Sequence, residues 1–569
     1  MNSLLIYNEN LSPDFINSFQ TEIGDIIPFS INNQTLSRDD YSFDGFIHNF
    51  LICSVQKSYD VIFLPINLSI ENYLEFSGLR IGYHIRLSNN FINQDIPIVF
   101  LAREDSYEIN KLSIYGDILS CPHIFLTDKL EVKSIKKQVE FIKKLPRKNV
   151  VRDFLNRVNL KPTGNYTTHH SISNEWSIIR WSKALINGGI LREFPKEIGM
   201  IEKIIESNLY YKYLGCRYPI ESSQHIGKSD LKLKYNGKVL YIDDEHFKGW
   251  STLFQLIFKS GGINEIDHFE VLNIDFDNIE KKELIKKCVE KSTFFDVLIL
   301  DFRLTQDDFS ETDVKQISGF QILEKLKEIN RGIQVIIFTA SNKVWNVKAL
   351  QEAGADGFIV KESPENTLDN QFTRESLLNL KITVNQCLRR SRYLISWFKI
   401  NKELKEFFEH NQECEYNAES KQMVNVFSEF QLDVINQLEV AYYLIDRTYV
   451  SESQYNSNQS LINHAYTSLY KILEYHFEYN IKDQFTIKHF DEVKKRFVAF
   501  DKTKHSKIQS GIITYISEYL KYDAYGYNKI LNNFRILRNG VTHPGEKKPS
   551  EIDCLELLRL IRKLIIRKY

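Results

Sequence analysis

Short runs of uniformly apolar residues punctuate the first 130 residues of the chain: LLIY (4–7), DVIFLPI (60–66), IPIVFLA (96–102) and HIFLT (123–127). They are apolar throughout rather than alternating, the pattern of strands in a parallel sheet covered on both faces. A second set follows between 236 and 365: KVLYI (238–242), HFEVLNI (268–274), FDVLIL (295–300), IQVIIF (333–338) and GFIV (357–360). The stretch between the two sets is more polar and helical, with the periodic EWSIIRWSKALI (175–186) and the loop-like NLKPTGNYTTHHS (159–171). After SPENTLDNQ the pattern changes to long amphipathic helices, predicted over about 373–409, 421–449, 459–479, 505–521, 525–540 and 550–567, with no comparable strand-like run.

One α/β unit occurs twice. YDVIFLPINL (59–68) matches FDVLILDFRL (295–304) in hydrophobic pattern, SGLRIGYHI (77–85) parallels SGFQILEKL (318–326), and IPIVFLA (96–102) parallels IQVIIFT (333–339). The expected organisation is an α/β unit over 1–130, a mainly helical connector over 131–235, the second α/β unit over 236–365, a helical linker over 366–419 and an all-α domain over 420–569. Each α/β unit is predicted to be a doubly wound parallel sheet.

Composition narrows this picture. With 569 residues, 43% apolar and 26% charged, the chain falls in the globular range and is long enough for roughly three to four domains. Lys+Arg (73) and Asp+Glu (74) nearly cancel, which excludes a polybasic nucleic-acid coat over the whole chain but not a local patch. Seven scattered cysteines without a CxxC pair argue against a disulfide scaffold or structural zinc and for a reducing compartment. No apolar run approaches the roughly 18 residues of a membrane span, and MNSLLIYNENLSPDF lacks a basic region followed by an apolar stretch. A cytoplasmic protein without membrane contact is expected.

The strand ends of the second unit carry the chemistry. Open α/β sheets place their sites beyond the carboxyl ends of the strands. Here the first strand ends in Asp243-Asp244, the third in Asp301, the fourth in Thr339 and the fifth in Lys361. Three converging carboxylates repel one another unless a cation lies between them, and a hard oxygen set suits Mg²⁺. A carboxylate can also act as a nucleophile and become an aspartyl-phosphate, with lysine and hydroxyl groups offsetting charge on the phosphoryl oxygens. This arrangement resembles the receiver domain of two-component response regulators, a flavodoxin-like fold, over about 125 residues. The resemblance implies phosphorylation of Asp301, Mg²⁺ held by Asp243, Asp244, Asp301 and the backbone carbonyl of Arg303, and a cognate histidine kinase. It also implies Thr339 as switch hydroxyl, Phe358 as the rotating aromatic and Lys361 as the phosphate-pairing lysine. Two features depart from the family: DFSETDVKQ (308–316) lengthens the path from Asp301 to Gly319, and Lys361-Glu362-Ser363-Pro364 replaces the usual Lys-Pro pair.

In the N-terminal copy, Asn8-Glu9 stand for the acidic pair, Pro65 for Asp301, Ala102 for Thr339 and Thr127 for Lys361. Proline has no side-chain oxygen to phosphorylate, so this copy resembles a degenerate receiver with a structural or docking role. In the connector, His169, His170, Asn174, Glu175 and Arg180 open an amphipathic helix that faintly resembles a histidine-kinase phosphoacceptor helix. Satisfied histidines at a helix start explain that pattern better.

Near the C-terminus, NKILNNFRILRNGVTHPGEKKPSEIDCLELLRLIRKLI (528–566) places Arg538-Asn539 and His543 in an R-N-x-x-x-H pattern before a Gly/Pro turn, with the spacing of five expected to bring Arg and His close. An imidazole that moves a proton at a ribose 2′-hydroxyl and a guanidinium that stabilises phosphorane charge suffice for metal-free RNA cleavage. Residues 521–569 carry 11 Lys+Arg against 5 Asp+Glu, a local net of +6. The stretch resembles the HEPN family of all-helical domains, whose R-x4-6-H motif pairs across a homodimer. Arg538 and His543 would then be catalytic, supported by Asn539, and RNA the substrate, as in a stress or phage-defence effector. Gly545 disfavours the nucleotidyltransferase-partner branch, which carries tyrosine there. The expectation is therefore a response regulator that controls a metal-independent ribonuclease, or alternatively a non-catalytic adaptor whose helical domain dimerises or binds a partner.

Overall fold

The computed structural model describes the chain apart from residues 1, 32–39, 70–74, 90, 143–144, 146–148, 162–168, 220–225, 259–265, 277, 341–343, 364–371, 418–421, 449–454, 482–487, 492–495, 500–507, 521–526, 544–545 and 567–569. Pro364 and Gly545 lie outside the described residues, as do the side chains of His169 and His170.

The apolar runs form two five-stranded parallel sheets of the same topology. The first contains β1 (Ser3–Tyr7), β2 (Gly24–Pro28), β3 (Val61–Pro65), β4 (Ile98–Leu101) and β5 (Ile124–Thr127), in the order β2-β1-β3-β4-β5. The second contains β6 (Lys238–Ile242), β7 (His268–Val271), β8 (Val297–Leu300), β9 (Gln334–Thr339) and β10 (Gly357–Val360), in the order β7-β6-β8-β9-β10. Sequence reading missed β2, because the edge strand GDIIP is only half buried and lacks the apolar signature of its neighbours.

Period-two geometry sends alternate side chains to opposite faces. In the second sheet Val239, Tyr241, Val297 and Ile299 join one core, and Leu240, Ile242, Leu298 and Leu300 another. The first of these cores also takes Leu4, Ile62 and Leu64 from the N-terminal sheet and Trp176, Trp181 and Tyr211 from the connector. Connector and both units therefore share one continuous apolar core.

The repeated Ser-Gly has a common cause. Gly78 N and Gly319 N donate to Ile66 O and Phe302 O at 3.0 and 3.1 Å, which closes each helix start against the end of β3 or β8. A Cβ at Gly78 would collide with the Pro65 carbonyl, and one at Gly319 with the Phe302 carbonyl. Only glycine permits that approach.

A buried polar knot fastens the connector to the N-terminal unit. Asp44 accepts from Arg80 Nε (2.8 Å), the amide of Leu209 (2.8 Å) and Asn208 Nδ2 (3.2 Å), and lies 2.8 Å from His84 Nε2. Burial works against the Asp44 carboxylate, but His84 and Arg80 hold its carboxyl well below the usual range. Burial and the neighbouring Lys212 push His84 down to about 3, so its ring is neutral and donates to Asp44. Removing one partner of a buried ion pair strands the other. Asp44→Ala is expected to lower the unfolding free energy by about 3–5 kcal/mol, read by urea denaturation.

The C-terminal region is largely helical. Phe372–His410 is one helix of 39 residues whose first half packs in the shared core through Leu377, Leu380 and Val384. Its second half enters a separate C-terminal core through Leu394, Trp397, Leu404 and Phe408. That core also takes helices Glu429–Asp446, Tyr455–Ile481, Ile508–Tyr519, Tyr527–Thr542 and Glu551–Ile566. The expected helical character holds, with short β-structure added to it. Two antiparallel hairpins occur, Glu413–Asn417 with Gln422–Val426 and Lys488–Asp491 with Arg496–Ala499. The first hairpin occupies part of the predicted 421–449 helix, which starts instead at Glu429, where Ser428 and Gln431 form a capping box.

Candidate functional site

Beyond the carboxyl ends of β6 and β8, adjacent strands at the topological switch point, four side chains from three strands converge. Lys361, directly after β10, donates from Nζ to Asp243 Oδ2 and Asp301 Oδ2, both at 2.8 Å, and all three side chains are fully buried. Asp243, Asp244 and Asp301 each offer a carboxylate oxygen, and these oxygens lie within 4.8 Å of one another. Three carboxylates against one ammonium leave excess negative charge in a low-dielectric crevice, which fits a divalent, oxygen-seeking cation.

The supporting contacts are specific. Asp243 Oδ1 accepts the Glu245 amide at 2.7 Å, and Asp243 Oδ2 also accepts the Tyr241 hydroxyl at 2.7 Å. Burial pushes the Tyr241 hydroxyl far above its usual range, and Asp243 adds to this, so Tyr241 acts here only as a proton-bearing donor. Burial alone would lower the Lys361 ammonium; Asp243 and Asp301 outweigh it and raise it, so the lysine stays charged. Its Nζ also lies 4.8 Å from the Phe338 ring and 5.9 Å from Trp250. Thr339 closes β9, buried, and its carbonyl accepts the Lys361 amide at 2.8 Å. Phe358 lies on β10 opposite Ile337, half buried against the second unit's core. Arg303 follows Asp301 by two residues, its guanidinium 5.7 Å over the Phe309 ring.

Both departures in sequence have structural roles. The inserted loop is pinned by Asp308, which is buried and accepts from Lys281 Nζ (2.7 Å), the Leu304 amide (3.0 Å) and the Ser318 amide (3.0 Å). This acid holds the loop in place rather than adding charge to the crevice. Glu362, in place of the usual proline, accepts from Arg180 Nε (3.2 Å) and Thr373 Oγ1 (2.8 Å), while its carbonyl accepts Ser177 Oγ at 2.6 Å. Burial raises the Glu362 carboxyl, and Arg180 opposes that shift. The connector helix His169–Asn187 is thus tied to the residue after Lys361 and to the start of the long helix. Asn174 donates to Glu245, and Glu175 accepts the Tyr211 hydroxyl at 2.6 Å. Asn174, Glu175 and Arg180 of this helix therefore make contacts within the chain, whereas the side chains of His169 and His170 lie outside the described residues.

Strand register corrects the match between the copies. Asp60 and Asp296 play the same part, donating from their amides to Asn2 O and Lys238 O. Ser3 pairs with Val61 and Val239 with Val297, which sets Tyr7 and Asn8, not Asn8 and Glu9, level with Asp243 and Asp244. Thr127 pairs with Leu101 whereas Val360 pairs with Thr339, so Lys129, exposed, rather than Thr127 stands level with Lys361. Pro65 and Ala102 hold the places of Asp301 and Thr339. The N-terminal crevice therefore presents no carboxylate at these three levels.

In the C-terminal region Arg538 is half buried on helix Tyr527–Thr542, its guanidinium 3.8 Å from Glu474. Asn539 accepts through its carbonyl from the His543 amide (3.0 Å) and Thr542 Oγ1 (2.9 Å), and His543 is exposed just past the helix end. Five helical steps separate Arg538 and His543 by about 140° around the axis and about 7.5 Å along it. Arg538 is turned to Glu474 on a neighbouring helix and His543 is exposed past the helix end, so the spacing of five does not by itself bring them together. Glu474 gave no signal in the sequence, since it lies on a different helix.

Residues 10–127 match the family described as Inactive Receiver domain, and residues 268–373 match Response regulator receiver domain. The second match begins after β6, yet β6, with Asp243 and Asp244 at its end, pairs with β7 and β8 within the same sheet. Among solved structures the chain is similar to a response regulator receiver domain protein from Clostridium thermocellum, at 24% identity over 27% of this chain and 96% of that one, TM-score 0.18. It is also similar to the response regulator domain of Thermotoga maritima CheB (18% identity, 27% and 97% covered, TM-score 0.19). A third is the CheX-CheY-BeF3-Mg complex from Borrelia burgdorferi (21% identity, 25% and 87% covered, TM-score 0.17). No curated protein matches the chain.

Proposed function

From a chain that carries an inactive receiver at its N-terminus and a response regulator receiver over 268–373, we propose a signalling protein that is phosphorylated on Asp301 and controls its helical C-terminal region. The observation that carries this reading is Lys361, held between Asp243 and Asp301 at the switch point. A carboxylate oxygen of Asp301 attacks phosphorus on the phosphohistidine of a cognate kinase; a P–O bond forms, the P–N bond breaks and the imidazole departs. Asp243, Asp244, Asp301 and the Arg303 carbonyl would hold Mg²⁺, which when bound neutralises charge on the phosphoryl oxygens. Lys361 pairs with one of those oxygens, and the Thr339 hydroxyl donates to another. As Thr339 moves toward the phosphate, Phe358 turns inward and β10 shifts.

A path to the C-terminal region follows from the contacts of β10. Asp356, directly before β10, accepts from Lys327 Nζ at 2.6 Å and Arg390 Nη1 at 3.2 Å. Arg390, on the long helix, also donates to the Asp446 carboxylate at 3.0 Å and carbonyl at 2.8 Å, on helix Glu429–Asp446. The long helix belongs to both cores, so a displacement at its start moves the C-terminal helices as a unit.

The effector reading is a HEPN-like, metal-independent ribonuclease acting on RNA as a homodimer through the C-terminal domain, with Arg538 and His543 catalytic and Asn539 supporting. Arg538 faces Glu474 while His543 is exposed, and a site completed by a second copy would not require the two to meet within one chain. The alternative, a phosphorylation-controlled adaptor, draws support from Glu474, whose carboxylate faces Arg538 and competes with a phosphate for it. Transmission is tested by hydrogen exchange of the full chain with beryllofluoride and Mg²⁺. Protection is expected to change in β10, at Asp356, and along the long helix into Glu429–Asp446. A change confined to the β8 and β10 ends would defeat the proposed path.

A further inference from the structure

A cavity of about 670 Å³ lies between the N-terminal unit and the connector, within the ~300–1,000 Å³ of small-molecule sites. Its apolar wall includes Leu51, Val55, Phe91, Ile179 and Ile205. The charged side chains lining it, among the described residues, are Arg180, Lys183 and Lys212 against Glu206 alone.

Two of these cations are buried. Lys212 is 8% exposed, and its Nζ donates only to neutral groups: His48 Nδ1 (2.9 Å), His84 Nδ1 (3.1 Å) and Ser88 Oγ (2.8 Å). Burial draws the Lys212 ammonium down to about 8, and burial with the Lys212 charge draws His48 down to about 4. Arg180 is 2% exposed; Nε serves Glu362 and Thr373, and Nη1 the Tyr218 carbonyl at 2.7 Å. Its Nη2 is buried and has no hydrogen-bond partner among the described residues. Glu362 is the anion paired with Arg180, and Asp44, behind His84, and Glu206 act on Lys212 only without direct contact, so the lining keeps an excess of positive charge that an anion brought beside it would offset.

We propose that this cavity binds a small organic anion with an apolar aromatic or acyl body and a single acidic head group. The body lies on the Leu51, Phe91 and Ile179 wall, and the head group meets Lys212 and Arg180. Arg180 also holds Glu362 beside Lys361, so occupancy alters phosphoryl transfer at Asp301; this part rests on the phosphoacceptor reading above.

The test uses 8-anilinonaphthalene-1-sulfonate and its uncharged analogue N-phenyl-1-naphthylamine, which share one aromatic body, in fluorescence titrations of the full chain. The sulfonate is expected to bind saturably, near one per chain, and at least tenfold tighter than the neutral dye. Lys212→Gln should remove that preference without weakening the neutral dye. Ile52→Asp, an exposed lining position, changes only the surface and should also weaken the sulfonate severalfold, so it decides the matter if Lys212→Gln does not fold. Equal affinity for the two dyes overturns the anion assignment, and sulfonate binding unchanged by Ile52→Asp and by a folded Lys212→Gln overturns the site. Asp301→Asn protein should bind the sulfonate as wild type does, which separates this outcome from the phosphoacceptor reading. Acetyl phosphate labelling of wild type should change severalfold when the sulfonate saturates; an unchanged rate overturns the coupling.

Discussion

Phosphoryl incorporation is expected to disappear from the full chain when Asp301 is replaced by asparagine. The amide is isosteric but uncharged, and its oxygen is no match for a carboxylate as a nucleophile. Asp243 is not expected to substitute, because it ends a different strand and its Oδ2 is shared by the Tyr241 hydroxyl and Lys361. The fold should survive, since Lys361 keeps its 2.8 Å contact with Asp243. Acetyl phosphate with Mg²⁺ should label wild type on one peptide containing Asp301, and Asp301→Asn on none. No label should fall in residues 1–130, where Pro65 holds the acceptor level. Asp243→Asn should retain labelling but need more Mg²⁺, by at least tenfold, as expected when a metal-facing carboxylate is removed. Label persisting in Asp301→Asn would overturn the assignment.

RNA cleavage is expected to fall by roughly 10²–10⁴-fold in His543→Ala, the range for loss of a general acid–base group. Arg538→Ala should cost roughly 10²–10³-fold through lost stabilisation of phosphorane charge. Neither change should affect labelling of Asp301 or dimerisation, because His543 is exposed and Arg538 half buried, far along the chain from the receiver. Cleavage of total RNA is measured with EDTA present, since the proposed chemistry uses no metal, on phosphorylated and untreated protein. The two samples should differ, because positioning catalysis loses steeply with about 1 Å of misplacement. Full activity in His543→Ala would sink the ribonuclease, leaving the adaptor. Equal cleavage by both samples would sink the gating alone.

Some of this protein is legible in one dimension because the relevant physics is local. A buried parallel strand must be apolar on both faces, so β3, β4, β8 and β9 announce themselves, and the carboxyl ends of β8 and β9 locate Asp301 and Thr339 without any knowledge of contacts. The Ser-Gly repeat is local too, because only glycine lets a helix start press on the preceding strand end. Register is not local. One residue of slip moved Tyr7 into the level assigned to Asn8, since a ladder is set by hydrogen bonds between distant segments. The edge strand β2 is only half buried and the hairpin strands ECEYN and QMVNV mix polar with apolar residues, so neither leaves a continuous apolar run in the sequence.

The chain by itself determined two sheets of one topology, the acidic crevice in one copy and its loss in the other, because strand burial and side-chain chemistry are properties of residue type and order. What only the tertiary structure decided is which distant charges meet. Glu362 became the anchor of Arg180, Arg390 the bridge from Asp356 to Asp446, and Arg538 the partner of Glu474. Each joins residues separated by tens to more than a hundred positions, and a buried charge accepts whichever opposite charge packing delivers, a choice no local pattern encodes.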